Sequence, residues 1–303
     1  MPGKVEKKKK FKIDRQQMGL LFILPWLIGF VWFQLYPFVQ SFLYSLTDFN
    51  GGTTSNFIGL TNYINILQDS KAIQSLLVTI VYVIIAVPCK LMFALFIAML
   101  LNKPIRGLSF FRTAYYIPSI LGGSVAVAVL WRFLFVEDGV VNHFLSLFGI
   151  GPIGFLNDER YALLTVSLLS VWQFGSSMIL FLAALKQVPN DLYEAASIDG
   201  ITRVGAFFNI TIPMITPVLL FNIVMQIINA FQEFTSVSII TKGGPMNSTN
   251  LFCLLLYQDA FMHGRMGYAS ALSWVLFVVI LIVTLVILRT SSSWVFYSDG
   301  GDA

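Results

Sequence analysis

One long apolar segment of the chain carries a row of side chains that can form hydrogen bonds. Asn222, Gln226, Asn229 and Glu233 recur at intervals of four, three and four residues, and Gln232 lies beside them. On a helix this spacing places the first four on one face. Their amides donate and accept hydrogen bonds, which suits a solute rich in hydroxyl groups. The row predicts the wall of a hydrophilic passage, or else amides that hold neighbouring helices together.

A second apolar segment repeats this pattern more weakly. Gln173 and Ser177 share a helical face with Ser170, and Trp172 lies next to them. An aromatic ring beside amide and hydroxyl groups can stack against the apolar face of a sugar-like ring. The alternative is that Trp172 packs against a neighbour or anchors the segment at a membrane surface.

Two charged side chains, Lys90 and Glu233, also lie in apolar segments. Their predicted depths differ, which argues against a direct ion pair. We expect structural pairing, or a Lys90 side chain that snorkels inward along its stem, rather than a role in transport. Since the row ending at Glu233 has amides, one acid and no Arg, it favours a neutral solute over a strongly anionic one. A cationic solute near Glu233 is the remaining alternative.

The sequence offers no set of residues for covalent chemistry. Of its two cysteines, Cys89 falls in the middle of an apolar segment and Cys253 near a loop. This placement predicts neither a disulfide framework nor a metal site. The sequence has no GxxxxGK[ST] loop for binding the phosphates of a nucleotide. We therefore expect a chain that is not an enzyme and has no metal or cofactor of its own.

The composition indicates which elements position these residues. Hydrophobic residues make up 57% of the 303 residues and charged residues 11%, and the mean hydropathy is +0.79. Soluble domains contain about 25% charged residues. A soluble core could not bury this much apolar surface, so the solvent for most of the chain is lipid. The sequence predicts an all-α polytopic membrane protein.

Six segments are apolar enough to cross a membrane, for which a helix needs about 20 residues. They form a predicted transmembrane domain at 18–289, between a basic tail at 1–17 and a short tail at 290–303. Most of the 19 Lys and Arg residues fall in the basic tail and in alternate loops, which places both termini in the cytoplasm. The predicted spans are Gly19–Leu46, Gln74–Leu101, Thr113–Phe135, Tyr161–Leu185, Ile212–Ile240 and Ala269–Leu288.

The longest polar stretch predicted to face the cytoplasm is the loop at 186–213. Pro189 can start a short helix there, Asn190 or Asp191 can cap it, and Gly200 can end it. Periodicity alone allows two interpretations, a docking site for another protein or a helix that lies on the membrane. The residues that would offer charge or close approach to a partner are Glu194, Ala195, Ala196 and Asp199.

The spacing within this loop matches a longer motif. Glu194, Ala195 and Ala196 are followed after three residues by Gly200, then after nine more by Ile210 and by Pro213. This pattern resembles the EAA signature of the permease subunits of binding-protein-dependent ABC importers. Ile212 stands where the signature has Leu, which is a conservative change.

Further stretches carry the resemblance over most of the chain. Leu101–Gly107, Phe110–Thr113 and Trp131–Phe135 are similar to segments of carbohydrate-uptake permeases of the maltose-transporter type. Thr241–Pro245 is similar to the TGGGP stretch of these permeases, with Lys242 in place of a Gly. The chain lacks the extra N-terminal spans and large external domain of the enteric maltose permease, so it resembles the shorter six-span form.

The resemblance implies the type I ABC importer permease fold in the cytoplasmic membrane of a prokaryote, and it implies partners. These would be a second permease, two cytoplasmic ATPase subunits that bind the ATP, an extracytoplasmic substrate-binding protein and membrane lipid, with no nucleic acid. The substrate would be a sugar or oligosaccharide. The implied ATPase-coupling residues are Glu194, Ala195, Ala196, Asp199 and Gly200, and the implied contacts with the binding protein are Gly243, Gly244 and Pro245.

Two rival functions explain part of the sequence. A secondary transporter would use Glu233 or Lys90 to couple an ion, but such folds typically contain inverted repeats, which we do not find in this sequence. A membrane scaffold or receptor component would explain the spans. It would not explain the complete EAA spacing or the polar row.

Overall fold

The structure is a computed structural model that describes residues 15–52, 55–103 and 107–296. Most of the predicted basic tail and the end of the predicted C-terminal tail lie outside these residues, as do positions 104–106 of the 101–107 stretch. Helices make up most of the described chain. Its first helix begins at Arg15, within the predicted tail, and its last ends at Ser291.

The helices follow one another along the chain with short connections. Those that form or flank the spans are α1 Arg15–Phe30, α2 Tyr36–Ser45, α3 Thr61–Gln68, α4 Ser70–Leu101, α5 Leu108–Leu121, α6 Val125–Phe135, α7 Val140–Ser146, α8 Glu159–Trp172 and α9 Gly175–Leu185. The second half contains α10 Asn190–Ile198, α11 Arg203–Ala206, α12 Ile212–Phe231, α13 Thr235–Ile240, α14 Phe252–Tyr257 and α15 Met266–Ser291. Single π-helical turns at Val31–Leu35, Phe207–Thr211 and Gln258–Met262 join or extend neighbouring helices.

Four helical stretches of the described chain are long and apolar enough to cross a membrane, namely Phe22–Ser45, Ser70–Leu101, Arg203–Ile240 and Met266–Ser291. Two further spans are possible only as bent pairs. The pair Leu108–Leu121 and Val125–Ser146 bends by 98°, and the pair Glu159–Trp172 and Gly175–Leu185 bends by 47°. The count of six spans therefore holds if each bent pair crosses the membrane once. The predicted third and fourth spans are broken helices rather than straight ones.

Helix α4 lies at the centre of the bundle, against α8, α9 and α12. Its start is fixed by Asp69, whose side chain accepts a hydrogen bond from the Lys71 backbone N–H at 2.9 Å. Ala86, Ala94 and Ala98 on α4 are fully buried. Side chains this small allow neighbouring helix backbones to approach closely, which is how helices associate in lipid.

The first span behaves differently, because none of its most apolar window is buried within this chain. It contacts the rest of the protein mainly through α15, where the Trp274 indole N–H donates to the Ser41 hydroxyl at 3.1 Å. Phe38 packs on the Trp274 ring at 4.6 Å between centroids. The exposed apolar side chains of this span face the surroundings of the subunit.

Candidate functional site: a polar cavity and a surface helix

Two adjoining polar cavities, of about 220 and 130 Å³, lie inside the helix bundle. Tyr82, Ser170, Gln173 and Glu233 line both. The larger cavity is completed mainly by the polar residues Lys90, Ser119, Ser176, Gln226 and Asn229, and the smaller by Gly122, Gly123, Gln232, Thr235 and Ser236. Six helices, α4, α5, α8, α9, α12 and α13, and the breaks that follow α5, α8 and α12 therefore contribute residues to one region.

The break after α12 places Glu233 just before the start of α13. Helix α12 ends at Phe231, so Glu233 lies beyond it rather than on the same helix as Gln226. One oxygen of the Glu233 carboxylate accepts hydrogen bonds from the Ser236 N–H at 3.0 Å and the Ser236 hydroxyl at 2.7 Å. An acidic group at the start of α13 is favoured by the unpaired N–H groups there.

The break between α8 and α9 is stabilised by one side chain of α5. The Ser119 hydroxyl donates to the Gln173 carbonyl at 2.9 Å and accepts from the Ser176 N–H at 2.9 Å. Non-helical backbone at membrane depth needs such partners, since lipid offers none. Gly175 permits the contact, because a Cβ there would clash with the Tyr115 carbonyl oxygen.

The Gln173 side chain packs into the break between α5 and α6. The Gln173 amide donates to the Gly122 carbonyl at 2.8 Å. A Cβ on Gly122 would overlap this side chain, whereas a Cβ on the adjacent Gly123 would meet nothing within 4 Å. Gly122 therefore creates the space in which Gln173 reaches the cavity.

Lys90 lies in the larger cavity with its residue surface 9% exposed. Glu233 lines the same cavity, yet no ion pair joins the two charges. Lys90 also forms no side-chain hydrogen bond with any residue that the structure describes. Lys90 therefore lines the cavity, and most of its residue surface is covered by its own chain.

Five of the predicted passage residues line the cavities, namely Gln173, Gln226, Asn229, Gln232 and Glu233. Three do not. Asn222 is 1% exposed and donates to the Val218 carbonyl of its own helix at 3.0 Å. Trp172 packs beside Trp131, with 6.1 Å between ring centroids. The Ser177 side chain is fully buried, and its hydroxyl has no hydrogen-bond partner in the described part of the chain. Its neighbour Ser176 faces the cavity instead.

Sequence reasoning missed several cavity residues, among them Tyr82 on α4 and Ser119 on α5 in the larger cavity and Thr235 and Ser236 in the smaller one. None of them belongs to the two rows of polar residues on which the sequence prediction relied. The break at Gln173 also changed which side chains of α8 and α9 face inward, because the pattern had assumed one straight helix.

The predicted short helix in the loop at 186–213 is present as α10. Its C-terminus forms the expected glycine cap, with Gly200 at a φ of 75°, the Ile201 N–H donating to the Ala196 carbonyl at 2.9 Å and the Gly200 N–H donating to the Ser197 carbonyl at 3.3 Å. The predicted N-terminal cap is wrong. Pro189 occupies the cap position without a side-chain hydrogen bond, and Asn190 and Asp191 lie inside the helix.

Helix α10 and the cap that follows it expose four of the five predicted coupling residues, Glu194, Ala195, Asp199 and Gly200. Ala196 differs, since it is 5% exposed and faces its own chain. It lets α10 lie close to the bundle rather than offering contact to a partner. The Tyr193 hydroxyl and the Thr211 hydroxyl share a hydrogen bond of 2.8 Å that fastens α10 to the long fifth span.

Several apolar side chains surround this helix without cover from their own chain. Ile198 is 87% exposed, and Val204 and Phe208 are exposed as well. At the same end of the bundle the Phe296 N–H donates to the Thr216 hydroxyl at 2.9 Å, which holds the end of the described chain near α12. We call this end of the bundle, defined by α10, the loop end.

The loop at 241–250 lies at the opposite end, which we call the far end. Gly243 is buried under the Asn250 side chain, and Gly244 and Pro245 are partly exposed. The exposed residues are Lys242, Met246 and Asn247, and all three have positive φ. The Thr249 hydroxyl lies within hydrogen-bond distance of the Thr241 hydroxyl and of the Gly244 carbonyl, both at 2.7 Å. The segment 243–245, which was predicted to contact the binding protein, therefore lies beneath a tip whose exposed residues are its neighbours.

The comparison of the sequence with protein families decides the class of protein. Residues 56–297 match the family described as "Binding-protein-dependent transport system inner membrane component". The chain belongs to this family. It is a permease of the ABC importer type.

Named relatives agree with this assignment. The permease is 48% identical to the probable ABC transporter permease protein YesP of Bacillus subtilis, over 96% of both chains. It is 34% identical to the lactose transport system permease protein LacF of Rhizobium radiobacter, over 88% of this chain and 91% of LacF. It is 33% identical to the sn-glycerol-3-phosphate transport system permease protein UgpA of Escherichia coli, over 91% of this chain and 95% of UgpA.

A solved structure supports the fold. The permease superposes on a chain of a bacterial ABC transporter involved in import of the acidic polysaccharide alginate, with a TM-score of 0.79 and 21% identity. The superposition covers 93% of this chain and 97% of the other. The described chain therefore has the type I ABC importer permease fold that its sequence predicts.

Proposed function

We propose that this permease moves a saccharide through the polar cavity at its centre. The observation that supports this most directly is the lining itself, in which amides, hydroxyls and a carboxylate from several helices converge at membrane depth. Polar groups in a span face a bundle interior or a water-filled cavity, and amides match the donors and acceptors of sugar hydroxyls. The named relatives LacF and UgpA serve lactose and sn-glycerol-3-phosphate, which are both polyhydroxylated solutes.

The loop end is proposed to face the cytoplasm and to receive ATPase subunits. Its exposed surface combines apolar side chains such as Ile198 with the acidic Glu194 and Asp199. Apolar groups exposed beside charges are typical of protein interfaces. The hydrogen bond from Tyr193 to Thr211 would pass a movement of α10 directly to the span that carries Gln226. ATP would be bound and hydrolysed by those subunits, since this sequence has no phosphate-binding loop.

The far end is proposed to receive the extracytoplasmic binding protein. A third cavity, of about 480 Å³, opens at this end between the 48–50 segment, α3 and the start of α15. Asp48, Asp69 and Arg265 line it together with three Asn and one Gln. Beside the exposed tip at Lys242 and Met246, this surface offers charged and polar groups for docking. A second permease would cover the exposed first span.

The test is ATP-driven uptake by the complete complex. This permease would be purified with its second permease, ATPase subunits and binding protein and reconstituted into proteoliposomes. We expect saccharide uptake that requires ATP, and ATP hydrolysis that rises several-fold when loaded binding protein is present. Uptake driven by an ion gradient without ATP would instead show a secondary transporter. A complex that hydrolyses ATP but moves no saccharide would refute the substrate class.

A further inference from the structure

We propose that helix α7 and the turn after it lie in the outer boundary of the membrane, where they anchor the far end of the permease to lipid. This segment, residues 140–151, belongs neither to the central cavity nor to the loop end. It therefore adds an interaction surface to the transport function proposed above. The partner of this surface is the lipid of the outer leaflet rather than a protein.

One side of the segment is apolar and is not covered by its own chain. The side chains on this side, which we call the α7 face, are Val140, Phe144, Leu147, Phe148 and Ile150, each between 45% and 72% exposed. The first four recur at intervals of four, three and one residues, which places them on one helical face. The Phe144 and Phe148 rings pack edge to face with 5.2 Å between centroids. Exposed apolar side chains grouped in this way mark a contact with a membrane or with another protein.

The opposite side of α7 is held against its own chain by Asn142, which is buried. The Asn142 amide donates to the Glu137 carbonyl at 3.0 Å and to the Ile153 carbonyl at 2.9 Å. Its side-chain oxygen accepts from the Ile153 N–H at 2.9 Å. The helix cannot turn its apolar side inward without breaking these three hydrogen bonds, so the α7 face must meet the surroundings of the subunit.

The bend after α5 sets the depth of α7. Helix α4 begins after Asp69, which lines the cavity at the far end, and α5 returns from the loop end after a short connection. Its 14 residues rise about 21 Å, which leaves about 9 Å of a hydrocarbon core about 30 Å thick. The 98° bend then turns Val125–Ser146 nearly parallel to the membrane plane. Helices α6 and α7 therefore run across the outer part of the membrane.

The composition of the segment favours lipid over a docked protein. The sequence contains no Lys, Arg, Asp or Glu at 139–157. Acidic residues border this uncharged stretch at both ends, namely Glu137, Asp138, Asp158 and Glu159. Surfaces that bind proteins usually have a polar rim, and both docking surfaces proposed above contain charged residues. Leu130 and Phe133 of α6 are also exposed, so the α7 face continues the apolar surface of the predicted third span.

The test measures the depth of the α7 face in the complete complex, reconstituted in proteoliposomes. Cys89 and Cys253 are replaced by Ala, and one spin label is attached at Phe148→Cys or, on the opposite side of the same turn, at Ser146→Cys. Accessibility to oxygen, which concentrates in lipid, and to a water-soluble nickel chelate gives the depth of each label. We expect the label at 148 about 5–10 Å below the phosphate groups and the label at 146 at or above them. Leu147→Cys supplies a second label on the α7 face if the Phe148→Cys complex does not assemble.

Three results would refute the lipid contact. A label at 148 that the nickel chelate reaches as readily as the label at 146 lies in water. A label at 148 that is protected from both reagents is covered by protein, and repeating the measurement without the binding protein tells whether that protein or the second permease covers it. Equal depths in lipid at 146 and 148 would show that the α7 face does not orient the helix. ATP-driven uptake of saccharide is measured separately, so failure of the proposed function is distinguishable from each of these results.

Discussion

The central cavity and the α10 surface both differ from the usual placement of residues, in which apolar groups are buried in protein or lipid and polar groups face water. In the cavity, polar groups such as Gln226 and Lys90 lie inside a bundle whose outside is apolar. On α10 and beside it, apolar groups such as Ile198 and Phe208 are exposed at the loop end. Both arrangements cost free energy in an isolated subunit. Each is therefore a place where something else is expected to bind, a solute in one case and a protein in the other.

The two regions differ in how they are built. The α10 surface is a single segment, ended by a glycine cap and fastened by one hydrogen bond from Tyr193. The cavity is formed where three helices break, and its backbone is satisfied by side chains from a different helix, such as Ser119. The cavity should therefore be sensitive to changes in packing, and the α10 surface to changes in charge or polarity that leave packing intact.

The largest effect is expected from Gly175→Ala at the break between α8 and α9. The added methyl group clashes with the Tyr115 carbonyl, so α5 and α9 must separate. Overpacking of this kind costs about 1–3 kcal/mol. Thermal unfolding of the purified complex in detergent should shift downward by several degrees, and uptake should fall with it. The control is Gly151→Ala, where nothing lies within 4 Å. Equal stability of the two variants would contradict the close approach.

The next effect is expected from Glu194→Lys on α10. Glu194 is exposed and has no side-chain hydrogen bond in the described chain, so the folded subunit should keep its unfolding temperature. Recovery of ATPase subunits on co-purification and ATP-driven uptake should both fall at least tenfold. Glu137→Lys makes the same charge change at the far end, where Glu137 is exposed, and should retain the ATPase subunits. Full coupling in Glu194→Lys would remove α10 from the interface.

A smaller effect is expected from Gly122→Ala in the cavity wall. The methyl group displaces the Gln173 amide and breaks its 2.8 Å hydrogen bond, a loss of about 1 kcal/mol. Because a flexible side chain can move aside, the subunit should still fold, and uptake should fall about two- to fivefold. Gly123→Ala, next to it in open space, should behave as the unmodified protein. If both variants behaved alike, the position of Gln173 would be irrelevant to transport.

The smallest effect concerns pH at the far end. Hydrogen bonds from Asn56, through its side-chain amide at 2.9 Å and its backbone N–H at 2.6 Å, lower the pKa of Asp48. The hydrogen bonds from Asn56 to the Asp48 carboxylate are present above the ordinary carboxyl pKa of about 3.9. They are lost as the pH falls through the lowered pKa of Asp48. Hydrogen exchange at the Asn56 amide, corrected for its intrinsic pH dependence, should accelerate below about pH 4. Asp48→Ala should show fast exchange at every pH.

Much of the fold follows from the sequence, because long apolar segments in lipid have few alternatives to helices. The loop helix was predictable for a local reason, since Pro189 and Gly200 mark its two ends. The bends were not predicted. Gly122 and Gly175 act through contacts with Gln173 and Tyr115, and those contacts exist only once α5 and the α8–α9 pair are packed together.

The site was predictable only where one helix carried it. Gln226 and Asn229 formed a visible row, but Asn222 in the same row bonds to its own helix instead. Tyr82, Ser119 and Lys90 come from α4 and α5, and no spacing relates them to α12. Polar groups from separate helices converge because of tertiary packing. The periodicity of residues within one helix does not predict how that helix packs against others.

The most direct test of the central claim compares ATP-driven uptake by complexes that carry Gln226→Ala with Asn229→Ala, or Asn222→Leu alone. The first pair removes amides that line the cavity, and the second change removes an amide that does not. We predict that the pair lowers uptake at least tenfold while ATP hydrolysis and thermal stability stay near those of the unmodified complex, and that Asn222→Leu keeps its uptake. Unchanged uptake in the paired variant would show that the substrate does not pass through this cavity.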